Sequence, residues 1–267
     1  MLNLARQLLI LIAFVHVFSA QALTIGITEG VTYRATDAEI EAKFDGIRKV
    51  LGTAIRQPVK IQIISSYNKL RDVLKSGQVD LAFIHPAHVA MEFIKTGDYS
   101  SVAWTSGFTQ YKVSFLCKEP KPIDNWASVV GKSFVTPDPD SITAVMTRAM
   151  LREHQIRTDS VKLQTTRYQD AVPFYVEHGF AIYGATASAS VIREWVGKGG
   201  KTCTESRGVP IKQWIALRKL DAATMTAIRN ALLGMDQSDA GRRALATSGY
   251  KGFVATSAEL EATLMTW

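Results

Sequence analysis

The chain has 267 residues, 47% of them hydrophobic and 21% charged, with 18 Gly, 8 Pro and 2 Cys. That mixture is too apolar for a disordered chain and too poor in cysteine for a disulfide scaffold, and the length suits one large domain or two smaller ones, each able to bury a core. Lys and Arg exceed Asp and Glu by 31 to 24, and the net +7 suits anionic ligands or surfaces without naming one.

Residues 1–22 read as a secretory signal peptide cut after Ala22. Arg6 gives a basic start, residues 8–18 are an apolar run broken only by His16, and Ala20-Gln21-Ala22 supplies the small-x-small cleavage pattern. The run is shorter than the roughly 20 residues a membrane helix needs, and no later run approaches that length. The mature chain is therefore expected to be exported. In an oxidising compartment Cys117 and Cys203 are expected to form a structural bridge or to stay as inert thiols. A redox or metal role is the alternative, although no CxxC and no Cys/His cluster marks a metal site.

Residues 23–27 form a short β-rich run closed by Glu29-Gly30. Ile40, Phe44, Ile47, Val50, Leu51 and Ile55 then recur at helical spacing, with Asp37 available as a cap. A strand is expected over 59–64 and a helix over 67–75, stopped at Gly77. Residues 79–84 are continuously apolar apart from Asp80, as a parallel strand covered on both faces should be. His85-Pro86 ends that strand, and 87–95 is helical. Further on, 112–118 alternates, 132–135 is a strand, and a Pro-rich loop leads into a helix from Ser141 to about His154. Then come a strand (161–165), a helix (168–178), a strand (180–183) and a helix (187–196). After Gly199-Gly200 two strands (202–206 and 213–217) precede helices over 222–235, 240–247 and from 257 onward.

Strands alternating with helices of this length predict parallel βαβ units and an α/β fold. In such folds ligands sit beyond the carboxyl ends of strands, beside helix N-termini. Two places qualify. Asp138-Pro139-Asp140-Ser141-Ile142-Thr143 opens a helix whose free amides, with the hydroxyls of Ser141 and Thr143, suit an oxyanion, although the same residues also make an ordinary N-cap. His85-Pro86-Ala87-His88 places two histidines at the next such helix start, where they can hydrogen-bond an anion or serve as plain surface and cap residues. No GxSxG, HExxH, P-loop or GxGxxG in a βαβ context is present, so no enzymatic activity and no cofactor are expected. A Cys117-dependent hydrolase is the remote alternative. Lys and Arg are scattered rather than clustered, which argues against nucleic-acid binding.

The run Leu23-Thr-Ile-Gly-Ile-Thr-Glu and the later Tyr67-Asn-Lys-Leu-Arg-Asp-Val-Leu-Lys-Ser-Gly-Gln-Val-Asp-Leu-Ala-Phe-Ile-His-Pro-Ala resemble the first lobe of the phosphonate-binding family of periplasmic substrate-binding proteins. Trp126-Ala-Ser-Val-Val-Gly-Lys-Ser-Phe-Val, Asp138-Pro-Asp-Ser-Ile-Thr and Glu205-Ser-Arg-Gly-Val-Pro resemble later landmarks of that family, in the same order. The resemblance implies a type 2 periplasmic binding fold: two α/β lobes, residues 23–110 plus 209–267 and residues 111–208, joined by a two-strand hinge near 110–112 and 207–209. It implies a monomer that closes on a small oxyanion in the periplasm and hands it to a membrane ABC permease.

By the same resemblance, Tyr33 stands where the family offers an aromatic or hydroxyl group. His85 and His88 occupy the first-lobe turn, Ser141 and Thr143 the second-lobe helix start, and Tyr168 the place of a common histidine. The loop containing Thr186 carries no carboxylate of the kind aminophosphonate binders use for the ligand amine, which points to an oxyanion without an amine. The broad family also includes cysteine-dependent arsenite sensors and kinase sensory regions that detect sulfur oxyanions. Sensing through Cys117 and Cys203, reported to a membrane sensor histidine kinase, is therefore the second reading.

Overall fold

The computed structural model describes residues 22–29, 31–119 and 123–265; the expected signal peptide, Ala22 apart, lies outside them. The first lobe begins β1 (Leu23–Glu29), α1 (Asp37–Ile55), β2 (Val59–Ile63), α2 (Tyr67–Lys75), β3 (Leu81–His85), α3 (Ala87–Thr96), β4 (Tyr99–Thr105). The second contains β5 (Ser114–Cys117), β6 (Ser133–Thr136), α4 (Ile142–Glu153), β7 (Lys162–Thr165), α5 (Val172–Glu177), β8 (Tyr183–Thr186), α6 (Ala189–Gly197), β9 (Lys201–Glu205). The chain then returns through β10 (Gln213–Leu217), α7 (Ala222–Leu233), α8 (Asp239–Ser248), β11 (Phe253–Val254) and α9 (Ala258–Met265).

The strands make two sheets, in the orders β11-β4-β10-β3-β1-β2 and β7-β6-β8-β5-β9. Each has a parallel half and an antiparallel half: β1 runs parallel to β2 and β3, and β6 to β7 and β8, whereas β10 is antiparallel to β3 and β4, and β5 to β8 and β9. The expected parallel βαβ units make up one half of each sheet, and the strands next to the lobe boundary run antiparallel to them. A chain coming back from the other lobe enters β10 from the carboxyl end of β3 and must run against it.

In β3 the side chains divide by pleat. Leu81 and Phe83 enter one core cluster, while Ala82 and Ile84 enter the cluster on the opposite face. This is why the run is apolar throughout. Phe83 sits 4.9 Å, centroid to centroid, from Phe44 of α1 and 5.1 Å from Trp214 of β10. The polar interruption, Asp80, is engaged: its carboxylate accepts the Thr24 amide at 2.9 Å. Helix α1 is capped by Thr36, not by Asp37, because Thr36 and Glu39 form a reciprocal capping box one residue earlier.

Other boundaries differ for packing reasons. The strand at 99–105 has no counterpart in the sequence expectation, because its polar Ser100 and Ser101 break the apolar pattern; Ser101 is held by the Gln213 side-chain amide at 2.7 Å across the sheet. The expected strand over 180–183 is displaced, and β8 starts at Tyr183. There Phe180 and Ile182 are exposed, and Gly184 lies so close to α5 that a Cβ would meet Val172 and Val176 at 2.7 Å. The helix expected over 168–178 is a 3₁₀ turn at Gln169–Ala171 followed by the short α5.

The chain crosses between the sheets twice, and the crossings pair. Tyr111 and Val209 exchange backbone hydrogen bonds of 2.9 and 3.0 Å, and Val113 and Ser206 are bonded beside them. The strands lie so close that a Cβ on Gly208 would fall 3.1 Å from the Gln110 Cα. One core cluster continues across the boundary, joining Ala87, Met91 and Trp104 to Ile142, Met146 and Leu264 of α9. Among the described residues no helix is long and apolar enough to cross a membrane.

Cys117 and Cys203 are disulfide-bonded, tying β5 to β9 with Cα atoms 6.0 Å apart and a sequence separation of 86. Closing a loop of that length restricts the unfolded chain, and the Cys117→Ser/Cys203→Ser double variant should lose about 2–4 kcal/mol of stability, read as a lower urea midpoint.

Candidate ligand-binding cleft

Strand β3 ends at His85 and runs through Pro86 into α3, while β6 ends at Thr136 and runs through the 137–141 loop into α4. Both helix starts reach the lobe boundary: His88 of α3 and Ile142 of α4 line one small cavity of about 170 Å³, and Arg71 of α2 donates to Asp140 at 2.9 Å. The lobes also meet through Arg34 and Asp170 at 2.7 Å, and through Gln169, whose amide donates to the Thr32 carbonyl at 3.2 Å. This is a closed arrangement. A second cavity, of about 110 Å³, lies between Tyr33, Ile64 and Ser65 on one side and Arg167 and Tyr168 on the other.

Tyr33 sits deep beside the hinge. Its hydroxyl is 3.0 Å from that of Tyr111, and the His85 ring lies 6.0 Å from the Tyr33 ring and 6.4 Å from that of Tyr111. His85 is 5% exposed, and its Nδ1 has no partner among the described residues. Both ring nitrogens of His88 and the hydroxyl of the wholly buried Thr143 are likewise without a partner. Leaving such groups dry and unpaired costs about 1–3 kcal/mol each, so a region holding several of them is built for something that fills it.

Ser141 is used differently. Its hydroxyl accepts the Ala144 amide at 3.1 Å as a helix cap. The two carboxylates in front of α4 are engaged as well: Asp138 accepts the Asp140 amide at 2.8 Å, and Asp140 takes the Arg71 bond. An anion arriving at this helix start therefore meets amide and hydroxyl dipoles beside carboxylates already in use. Thr186 donates to the Gln169 side-chain oxygen at 2.9 Å, and the Ala187 amide donates to the same oxygen at 2.8 Å, so Thr186 positions Gln169. Tyr168 stands at the mouth, with the Arg34 guanidinium 4.4 Å over its ring. Cys117 and Cys203 lie apart from these groups and are bonded to each other.

A profile described as the periplasmic substrate-binding protein of phosphonate ABC transporters matches residues 30–260. The chain belongs to this family. Its members bind a small ligand in the periplasm and deliver it to an ABC permease. Among solved structures, this binding protein is similar to XAC2383 from Xanthomonas citri bound to ATP, with a TM-score of 0.76 and 14% identity over 92% of this chain and 97% of the other. It is also similar to PhnD1 from Prochlorococcus marinus in complex with methylphosphonate, with a TM-score of 0.72 and 13% identity over 92% and 96%. A phosphonate-transporter binding component from Pseudomonas aeruginosa gives a TM-score of 0.67 and 14% identity over 91% and 84%. At such identities these neighbours establish the two-lobed type 2 periplasmic binding fold. No curated protein matches the sequence.

Several residues of the binding protein's cleft were not foreseen. Gln169, Tyr111, Thr32 and Arg71 owe their places to partners 21 to 137 positions away, and nothing local marks them. Tyr111 alone carried a signal, since it lies in the expected hinge.

Behind His85 lies a buried charge network. Lys212 and Tyr250 both donate to the Glu29 carboxylate, and Lys43 stands 3.3 Å from it. Burial pushes Glu29 up, but Lys212 and Lys43 overcome this and hold it at about 2, below its ordinary 4.5. Burial, helped by Lys212, drives His85 down to about 3, and burial with Arg71 nearby drives His88 to about 4, both from an ordinary 6.5. Between the folded and unfolded values the unfolded chain binds more protons, so stability falls as pH is lowered. The histidine contribution is complete above 6.5 and lost as pH drops towards 3–4; that of Glu29 is complete above 4.5 and lost towards 2. Urea midpoints of the unliganded protein should therefore fall from about pH 7 to about pH 4, and less steeply in His88→Gln.

Proposed function

We propose that this binding protein captures a small phosphorus oxyanion without an amine, of the phosphate, phosphite or methylphosphonate class, by closing its lobes over it, and passes it as a monomer to a membrane ABC permease. The observation that carries this reading is the group of buried, unpartnered polar atoms at the lobe boundary: His85 Nδ1, His88 Nδ1 and Nε2, and Thr143 Oγ1. They belong to the two helix starts that face the closed cleft, and a tetrahedral oxyanion offers the several oxygens needed to satisfy them. PhnD1 was solved with methylphosphonate, a ligand of this class. The ATP held by XAC2383 is far larger than either of the two boundary cavities, of about 110 and 170 Å³, and the Arg34–Asp170 and Arg71–Asp140 bridges hold the lobes together around them. A thiol-based sensor or a cysteine hydrolase needs a free thiolate, and the disulfide leaves none at Cys117 or Cys203.

Thr143→Ala deletes a buried hydroxyl without disturbing the Ser141 cap. It should weaken methylphosphonate or phosphite binding by about 1–3 kcal/mol in calorimetry, the range for losing a hydrogen bond to a charged group. A thermal-shift panel of phosphate, phosphite and methylphosphonate in which none raises the melting temperature would overturn the reading. A bound ligand at about 100 times its Kd adds roughly 2.7 kcal/mol.

A further inference from the structure

Two short segments meet where the lobes come together beside the hinge. Thr32, Tyr33 and Arg34 follow β1 in the first lobe, and Tyr168, Gln169 and Asp170 precede α5 in the second. The outer contact is in water: Arg34 pairs with Asp170, and their side chains are 67% and 49% exposed. The inner contact is dry. Gln169 and Thr32 are 3% and 4% exposed. The Gln169 backbone N–H donates to the Thr32 carbonyl at 3.2 Å, and its side-chain amide reaches the Thr32 hydroxyl at a longer 3.5 Å.

Gln169 is held from behind by its own lobe. Its side-chain oxygen accepts from the Thr186 hydroxyl at 2.9 Å and from the Ala187 amide at 2.8 Å, which uses both lone pairs of that oxygen. An amide is planar. With its oxygen fixed on the end of β8, its NH2 group is directed the other way, towards Thr32 and the Tyr33–Tyr111 hydroxyl pair, on which Gln169 also acts as a hydrogen-bonding neighbour. The bonds to Thr186 and Ala187 lie inside the second lobe and persist whether the cleft is open or shut. Those to Thr32 exist only while it is shut, so opening strips Gln169 of its first-lobe partner alone.

We propose that Gln169 is the closure-positioning residue of this binding protein: anchored on β8, it presents fixed donors to Thr32 and so sets the share of molecules with closed lobes, without touching the ligand. This rests on the reading of the cleft as one that closes over its ligand, and not on which oxyanion is bound. The side chain serves twice, through its own reach to Thr32 and by holding the turn whose backbone N–H makes the shorter bond. A ligand that binds only the closed form has an apparent Kd that varies inversely with the closed share. Losing the contact therefore weakens every ligand by one common factor.

The test is single-molecule FRET on the full mature chain, joined to calorimetry with phosphate, phosphite and methylphosphonate. Dyes are placed at Lys60→Cys on β2 and Lys162→Cys on β7, both exposed and one in each lobe, with the Cys117–Cys203 bridge intact so that only the new thiols react. Gln169→Met should lower the ratio of closed to open molecules about tenfold and weaken every anion that binds by the same factor, leaving their order unchanged. Thr32→Val, which leaves the anchor on β8 intact, should lower the ratio about threefold, and the double variant should match Gln169→Met because both remove one shared contact. A lower melting temperature with an unchanged closed share marks a merely structural residue and overturns the proposal; unequal losses among the anions place Gln169 on the ligand and overturn it too. If Gln169→Met does not fold, Thr32→Val decides by the same ratio. If none of the three anions binds, the oxyanion reading falls, and the closed share of the protein alone still decides for or against Gln169. A wild-type protein with no closed molecules, alone or with any of the three, overturns cleft closure and this inference together.

Discussion

The paired crossing of the chain at Tyr111 and Val209 is the constraint on which the rest of the molecule depends. Two backbone hydrogen bonds there, continued by those of Val113 with Ser206 and of Ile211 with Phe108, place both crossings in one narrow ribbon. A ribbon of this kind bends more readily than it shears, so the lobes can change their angle while keeping their register. It also fixes the antiparallel half of each sheet, because the strand leaving the ribbon lies against the strand that ends at the cleft. The parallel strands β3 and β6 then have their carboxyl ends, and the helices that follow, directed at the boundary. A ligand site follows from this topology before any side chain is specified.

The groups that line the boundary divide by charge. Several ionised residues at its edges and behind it are paired: Arg34 with Asp170, Arg71 with Asp140 and Glu92, and Glu29 with Lys212 and Lys43. The groups left open are hydroxyls and neutral imidazoles. The edge pairs are about half exposed, and each such pair contributes at most about 1 kcal/mol, enough to bias closure without locking it. The buried Glu29 network serves a different end. It fastens the end of β1, just before the segment that carries Tyr33, to Lys212 beside the returning hinge strand, so the aromatic wall of the cleft moves with the hinge.

How much of this is legible in the sequence depends on the range of the interactions. The β3 run, the α4 cap at Ser141 and the helical spacing of α1 are local, and they place the helix starts correctly. The identity of Thr143 and His88 as groups at a helix start is local too. Their lack of partners is not, because it follows from which side chains of the other lobe turn towards them. Gln169 shows the limit. It is buried by Thr32, Thr186 and Ala187 from three separate segments, and its own neighbours, Tyr168 and Asp170, read as an ordinary helix start. The displaced β8 has the same origin: Gly184 and Ala185 have little strand character of their own and are extended because α5 packs onto them.

The disulfide bears on the same division between local stiffness and global motion. It joins neighbouring strands within one lobe, at the end of β5 away from the crossings, and spans no part of the cleft. A bridge across the lobes would oppose opening; one inside a lobe leaves the hinge free and makes that lobe move as a unit. With β5 and β9 pinned together, bending is confined to the ribbon around Tyr111 and Val209 rather than spread into the second sheet. Closure then brings the same atoms together each time, as a site built from scattered hydroxyls and two neutral histidines requires, since each hydrogen bond weakens steeply with misalignment.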